Sequence, residues 1–391
     1  MRTCINHVSI VTGNDIIENG SLIFEDDVIV GINNQPVSPE FDKTVDGNGL
    51  TAVPGYIDTH CHGGNGFDAN DATAESIEGI AAFHLRHGVT SIYPTLAADD
   101  FASLVKGFEA IRAAMSRNTP GKAEIMGTHL EGPFLNLKHK GSQAAEHFIR
   151  FDDNCVRIID AYKDVIRRIT ISPEVDDNMQ RIALLSQMGI VVSGGHSDAT
   201  FEQVEEAVAQ GMKSVTHLYN AMSQVHKEGP FRICGMTEAG LLLDDLYAEI
   251  IADGCHLPAP LMQIAYRCKG ADKLLICSDA NHAAGGKEGG IYEVCGLTFV
   301  VENGVALNSA RTSLAGSVTP LDAMVRNIVT QVHVPLQDAV KLASANPARM
   351  MGIDQRKGDI ALGKDADVNL LDTEFRVVKT FCRGKEIMSE E

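Results

Sequence analysis

Eight apolar runs, each ending in a polar cluster, recur through the middle of the chain: AVPGYIDTHCH, VTSIYPTL, AEIMGTHLEGP, RRITISPE, GIVVSGGHSD, KSVTHLYNAM, YAEIIADGCH and KLLICSDANH. They read as strands, and helix-like stretches separate most of them, for example AESIEGIAAFHLRHG, FASLVKGFEAIRAAM, NMQRIALLSQMG and TFEQVEEAVAQG. The last two of these end in glycine, where a helix commonly stops. Eight βα units over about 230 residues match the size of a closed parallel barrel. An open doubly wound sheet shares the alternation, but it normally begins with a glycine fingerprint for a nucleotide, and no full G-x-G-x-x-G follows the first run. The expected fold is therefore an α/β protein, a (β/α)8 TIM-type barrel. In such a barrel the C-terminal strand ends form one mouth. The polar clusters would meet there: His60 and His62, Thr95, Glu131, Glu174, His196, His217, Asp253 with His256, and Asp279.

The chain ends have a different texture. CINHVSIVT, SLIFEDDVIVGI and KTVDGNGLTAV at the start, and GDIALGKDADVNLLD and EFRVVKTFCRGKEI at the finish, alternate or cluster β-formers between turn signals. Two β-rich ends flanking a different middle predict one small β domain built from both termini, residues 1–53 and 355–391, around a barrel spanning 54–354. A length of 391 residues with 44% apolar content accommodates one large domain plus one small one.

Charge and cysteine usage narrow the function classes. With 52 acids against 33 bases the net charge is −19, so the surface repels nucleic acid and anionic membrane. An anionic substrate would need a local positive site set against that field. MRTCINHVSIVTGND lacks the pattern of a signal peptide, and no apolar run approaches the roughly 18–20 residues of a membrane span. Nine scattered cysteines without a C-x-x-C pair suit reduced thiols in a cytoplasmic protein. Cys61, Cys255 and Cys277 fall inside the strand-end motifs and are read as small buried hydrophobes.

Alternation along a strand sends His60 and His62 to one face, a preformed pair of nitrogen ligands. Glu131 follows an apolar strand directly, and a buried carboxylate is costly unless paired or metal-bound. His129, two residues earlier, reads as a supporting residue rather than a ligand. His196 follows two glycines that allow close approach of a ligand or metal, and His217 ends the next run. Each alone reads as a core histidine or a salt-bridged acid. Together, four imidazoles and one carboxylate at successive strand ends suit zinc, iron or a similar transition metal, not magnesium or calcium. Asp279 ends the eighth strand, where a carboxylate can take a proton from an activated water and return it to a leaving amine. Its ordinary role would be a helix N-cap. His282, just beyond, is ambiguous.

At these residues the chain resembles the N-acetylglucosamine-6-phosphate deacetylase family of the amidohydrolase superfamily. The matching pieces run in order from about residue 50 to 372: PGYIDTHCHGG, HLEGPFLNLKHKGSQ, VSGGHSDAT, THLYNAMS, IADGCHL, CSDANHAAGG, LAGSVTPLDAMVRN and ANPARMMGI with KGDIALGKDADVNLLD. HLEGP and THLYNAM are specific, whereas PGYID-x-H-x-H and GKDAD are shared across the superfamily. The resemblance implies a barrel plus β-sandwich, a homodimer, and hydrolysis of the 2-acetamido group of a hexosamine phosphate. It implies Glu131, His196 and His217 as the main metal ligands and His60 with His62 as holders of a second metal found in some members. The cofactor would then be zinc or iron, one or two per subunit. It implies Asp279 as catalytic acid and base. Ser142, Gln143, Asn220, Ala221, Asp253, Gly254, Cys255, His256, Leu314, Ala315 and Gly316 match substrate contacts.

The chain departs from the family pattern in one place. Typical members follow the Asn-Ala-Met segment with Arg-Glu-Pro-Gly, whose arginine reaches the substrate phosphate from the neighbouring subunit. Here the segment reads SQVHKEGPFRICGMTEAG, with Lys227 and Arg232 as the candidate substitutes. Arginine is favoured for bidentate phosphate recognition, so the acyl-amino substrate stays open at this stage. The resemblance implies N-acetylglucosamine 6-phosphate, with its galactosamine counterpart, an unphosphorylated acetamido sugar or an N-acyl amino acid as alternatives.

Overall fold

The computed structural model describes residues 1–13, 15–38, 40–294 and 297–388. Asn14, Pro39 and residues 389–391 of the predicted β domain lie outside the described residues, as does Cys295.

All eight predicted runs contain a barrel strand: Tyr56–Cys61, Val89–Ala97, Thr128–Glu131, Ile166–Ile171, Val191–Gly194, Ser214–Val215, Tyr247–Ile251 and Leu274–Cys277. Each pairs in parallel with the next. The seam between the eighth and first strands is bridged just beyond the end of the eighth by backbone bonds, Asp279 N–H to His60 O at 2.9 Å and His62 N–H to Ala280 O at 2.8 Å. The third run is interrupted. Glu124–Ile125 pairs with the second strand before the main segment begins at Thr128. Gly127 makes the break, with φ +132° and room for no side chain: a Cβ there would lie 2.7 Å from Val165 O.

The strands are apolar because helices cover the barrel's outside. The helix Ala74–Arg86 is capped by Thr73, which accepts from Ser76 N–H, and it buries Ile77, Ile80, Ala81 and Leu85. The helices Asn178–Gln187 and Phe201–Ala209 are followed by Gly189 (φ +80°) and Gly211 (φ +112°), the left-handed residues that their glycine endings predict.

Both chain ends build one eight-stranded sheet. The N-terminal strands Arg2–Thr12, Asp15–Glu25, Val28–Asn33, Lys43–Asp46 and Thr51–Pro54 meet the C-terminal ones where Val368–Leu371 pairs antiparallel with Thr51–Pro54. Its core holds Ile5, Val8, Leu22, Phe24, Val368 and Phe381. The GKDAD stretch fastens this sheet to the barrel. Lys357, 1% exposed at its side chain, lies 2.6 Å from Asp367, 2.8 Å from Glu124 and 2.9 Å from Asp365. Burial disfavours its charge, yet the three carboxylates outweigh that and hold the ammonium above its usual range.

Two insertions flank the barrel mouth. A hairpin, His226–Glu228 with Phe231–Ile233, carries the segment that departs from the family pattern. A three-stranded meander, Ile291–Val294, Leu297–Glu302 and Val305–Asn308, follows the eighth barrel strand and packs Phe299 and Ala306 with Ala283 and Ala315. Among the described residues, no helix is long and apolar enough to cross a membrane.

Removing one partner from a buried ion cluster leaves uncompensated charge, at a cost of about 3–5 kcal/mol. Lys357→Met is therefore expected to lower the urea midpoint by that equivalent while leaving metal content unchanged. A midpoint like that of the parent protein would show that the clamp contributes nothing.

Candidate metal centre

Glu131 is the hub of the barrel mouth. Its Oε1 lies 3.1 Å from His196 Nε2 and 3.1 Å from His217 Nε2, and those two nitrogens are 3.1 Å apart. Its Oε2 lies 3.1 Å from His62 Nε2, which is 3.2 Å from His60 Nε2. Asp279 Oδ1 stands 3.4 Å from both His60 Nε2 and His62 Nε2. Five of the six are buried and His62 is partly buried, and five of them form two three-donor clusters, His60–His62–Glu131 and Glu131–His196–His217, that share one carboxylate.

The backbone at these strand ends is bent to present them. His196, His217 and Asp279 have φ of +49°, +31° and +44°, in the left-handed region that non-glycine residues avoid. Such positions cost about 1–3 kcal/mol each and cluster at functional sites. Gly194 and Gly195 make room for the turn at His196, because a Cβ on Gly195 would lie 2.9 Å from Thr216.

The donor set fits a first-row transition metal. Tetrahedral nitrogen and oxygen ligands at about 2.0–2.1 Å stand roughly 3.3 Å from one another, close to the observed 3.1 Å spacings. Imidazole nitrogens that close, where neither Nε2 carries a proton, point lone pairs at each other, which a cation between them would relieve. The electrostatics agree. Burial works against charge on His62, but Asp279 and Glu131 outweigh it and push the imidazole up to about 9. Burial likewise raises the carboxyl of Glu131, yet His60 and His196 hold it well below the usual carboxylate range. These carboxylates draw positive charge into the mouth.

The centre opens into a cavity of about 830 Å³. Of the sequence-predicted substrate contacts, Ser142, Gln143, Asn220, Ala221, His256 and Leu314 to Gly316 line it. Gln143 donates from Nε2 to Glu131 Oε2 at 2.7 Å, and its Oε1 accepts from Ala98 N–H at 2.8 Å. Ser142 Oγ donates to Leu314 O at 2.9 Å, tying two rims of the cavity together. Asp253, Gly254 and Cys255 stand behind the wall. Asp253 accepts from Cys255 N–H and His256 N–H and lies 2.7 Å from His256 Nδ1, so this turn presents His256. Cys61 and Cys277 are buried as expected, but Cys255 is exposed, correcting its reading as a buried hydrophobe; the turn lifts it to the surface. Lys227 and Arg232 sit exposed on the hairpin and do not line the cavity. His129 lies between Thr95 and Thr170, 2.7 Å from the Thr170 hydroxyl, with its ring against His60.

Sequence reasoning passed over three groups. Lys138 and Lys140 line the cavity beside the substrate-contact stretch, where the Lys-His-Lys run was a visible signal. Phe299 and Asn308 reach it from the meander, which only tertiary packing brings there. Arg168 and Glu249 are fully buried, Glu249 against His60 of the candidate metal-holding group, and a charge within each of two apolar runs was their signal.

The amidohydrolase family profile matches residues 51–387. The chain belongs to the amidohydrolase family. It is 32% identical to the N-acetylglucosamine-6-phosphate deacetylase of Bacillus subtilis (strain 168), over 97% of this chain and 96% of that one. It is also 32% identical to the N-acetylgalactosamine-6-phosphate deacetylase of Escherichia coli O157:H7, over 96% and 97%. Among solved structures, N-acetylglucosamine-6-phosphate deacetylase from Pasteurella multocida superposes with a TM-score of 0.92 at 29% identity, covering 99% of this chain and 100% of that one. A Mycobacterium smegmatis mutant of the same name, in complex with N-acetyl-D-glucosamine-6-phosphate, gives 0.91 at 27% identity, covering 99% of each. As an amidohydrolase, the chain is a hydrolase of a family that generally uses a divalent metal, and its mouth holds a cluster able to bind one.

Because Glu131 belongs to both clusters, Glu131→Gln is expected to weaken metal retention at both by at least about 100-fold, beyond the loss caused by a supporting residue. His62→Ala should weaken only one. Elemental analysis after equilibrium dialysis checks this, and Glu131→Gln protein holding the parental amount would refute the shared hub.

Proposed function

We propose that this chain hydrolyses N-acetylglucosamine 6-phosphate to glucosamine 6-phosphate and acetate, a step of amino-sugar catabolism. The observation that carries the reading is Glu131, His196 and His217 meeting within 3.1 Å at the floor of a cavity that Asp279 also lines. Near-full-length relatives with this name support it. Glu131, His196 and His217 would hold one divalent ion, zinc or iron, and His60 and His62 with Glu131 a second. When bound, such an ion supplies Lewis acidity that activates water and polarises a carbonyl.

The chain's own residues do the rest. Asp279 accepts the proton of the attacking water and returns it to the departing amine. Burial alone would raise its carboxyl, but His60 and His62 bring it below its ordinary value, so it starts as a base. Gln143 has one N–H engaged by Glu131 and a second available to the acetamide oxygen. Asn220 donates its amide N–H to the carbonyls of His217 and Leu218, leaving its oxygen to accept from a sugar hydroxyl. His256, oriented by Asp253 through Nδ1, keeps Nε2 for the substrate.

The phosphate calls for a cation in a chain of net charge −19. Lys138 is paired with Asp198 at 2.7 Å, whereas Lys140 meets only Gly141 O at 3.4 Å among the described residues. Lys140 is the phosphate partner this chain offers from its own cavity, and Lys227 and Arg232 would act only across a homodimer. A second reading, the galactosamine epimer, is favoured by the equally similar E. coli relative. The reading places the chain in the cytoplasm.

Acetate release over a panel of acetamido sugars decides among these. The 6-phosphorylated glucosamine derivative is expected to lead in kcat/KM, and preference for an unphosphorylated sugar or an N-acyl amino acid would overturn the proposal. Lys140→Met should raise KM for the phosphorylated sugar about tenfold or more, the loss of one charged hydrogen bond, and leave turnover of the unphosphorylated sugar unchanged. Asp279→Asn should keep its metal but lose about 10²–10⁴ in kcat; full activity would remove Asp279 from the mechanism.

A further inference from the structure

Glu249 and Arg168 form an ion pair where apolar packing would suffice. Glu249 sits mid-strand in Tyr247–Ile251 and Arg168 in Ile166–Ile171, and both are 0% exposed. Arg168 Nη1 donates to Glu249 Oε2 at 2.5 Å and to the carbonyl and hydroxyl oxygens of Thr59 at 3.2 Å, while its Nε donates to Ser193 Oγ at 3.0 Å. Replacing such a pair with apolar residues of like volume is often neutral or stabilising. Stability is therefore a poor reason for it to be there.

The other carboxylate oxygen points to a reason. Glu249 Oε1 lies 3.0 Å from His60 Nδ1 and accepts from the backbone N–H of His217 at 3.3 Å. A hydrogen bond from Nδ1–H fixes the imidazole as the tautomer whose Nε2 carries a free lone pair. That nitrogen is the one facing His62 at 3.2 Å and Glu131 at 3.5 Å. His196 is oriented independently, through Nδ1 to His139 O at 2.8 Å.

We infer that Glu249, itself held by Arg168, is a positioning residue that sets His60 as a ligand and so equips this chain with the His60–His62–Glu131 metal site beside the Glu131–His196–His217 one. The inference rests on the metal-centre reading above and adds to it the residue on which the second site depends.

The test is a titration of chelator-stripped full-length protein with Co²⁺ alone, followed by electronic absorption and elemental analysis. The parent chain is expected to take up two equivalents. The double variant Arg168→Met/Glu249→Leu, which removes both charges and keeps the volume, should retain the first equivalent and bind the second about 10–100-fold more weakly. His60→Ala should reproduce that loss. Two equivalents bound at parental affinity by the double variant would overturn the inference, and so would loss of both from a variant with a native circular dichroism spectrum. A parent chain that binds one equivalent overturns the inference but leaves the proposed function standing, whereas one that binds none removes the proposed function itself. Should the double variant not fold, ¹⁵N-histidine spectra of the stripped parent chain decide the matter. Protonation of His60 at Nδ1 supports the inference, and protonation at Nε2 alone overturns it.

Discussion

Closure of the barrel between its eighth and first strands is the constraint on which the rest depends. One backbone hydrogen bond there, Asp279 N–H to His60 O at 2.9 Å, does two things at once. It bridges the two remaining strand edges at the mouth, which share no ladder of their own among the described residues. It also brings the Asp279 carboxylate within 3.4 Å of the imidazoles of His60 and His62, residues more than two hundred positions away in the chain. Without that closure, the strand ends would not share a rim and the six polar side chains would not share a charge.

Electrostatic demand accounts for the form of that rim. Glu131 and Asp279 are buried close together, an arrangement tolerated only where positive charge compensates it. Without a metal, His60 and His62 supply part of this by being driven toward protonation, and a bound cation would take the place of those protons. The price is written in the backbone, where His196, His217 and Asp279 all adopt left-handed φ values. Below the rim, Arg168 and Glu249 carry the polar network into the barrel interior, and Lys357 repeats the same logic where the terminal sheet meets the barrel.

Much of this was legible in the linear chain. Parallel strands covered on the outside by helices must be apolar along their length, so the eight runs stood out and so did the polar residue that ended each one. Other features were not. The break at Gly127 depends on the closeness of Val165 and Arg167, which no local pattern records. The meander from Ile291 to Asn308 gives no sign in its own residues that Phe299 and Asn308 would wall the cavity. Lys227 and Arg232 read as phosphate candidates by position, yet the hairpin carries them into solvent, while Lys140, three residues before Gln143, faces the cavity.

By itself the sequence determined the architecture and the chemical class of the site. Burial periodicity depends only on neighbours in the chain, and few contexts other than a metal centre account for four histidines and an acid ending apolar strands. Which atoms meet was decided by tertiary structure alone. The 3.1 Å triangle of Glu131, His196 and His217, the sharing of Glu131 with His62, and the bond from Glu249 to His60 join residues up to 189 positions apart. Contacts at that separation arise from strand register and barrel closure, which are properties of the packed whole and leave no mark on any single stretch of residues.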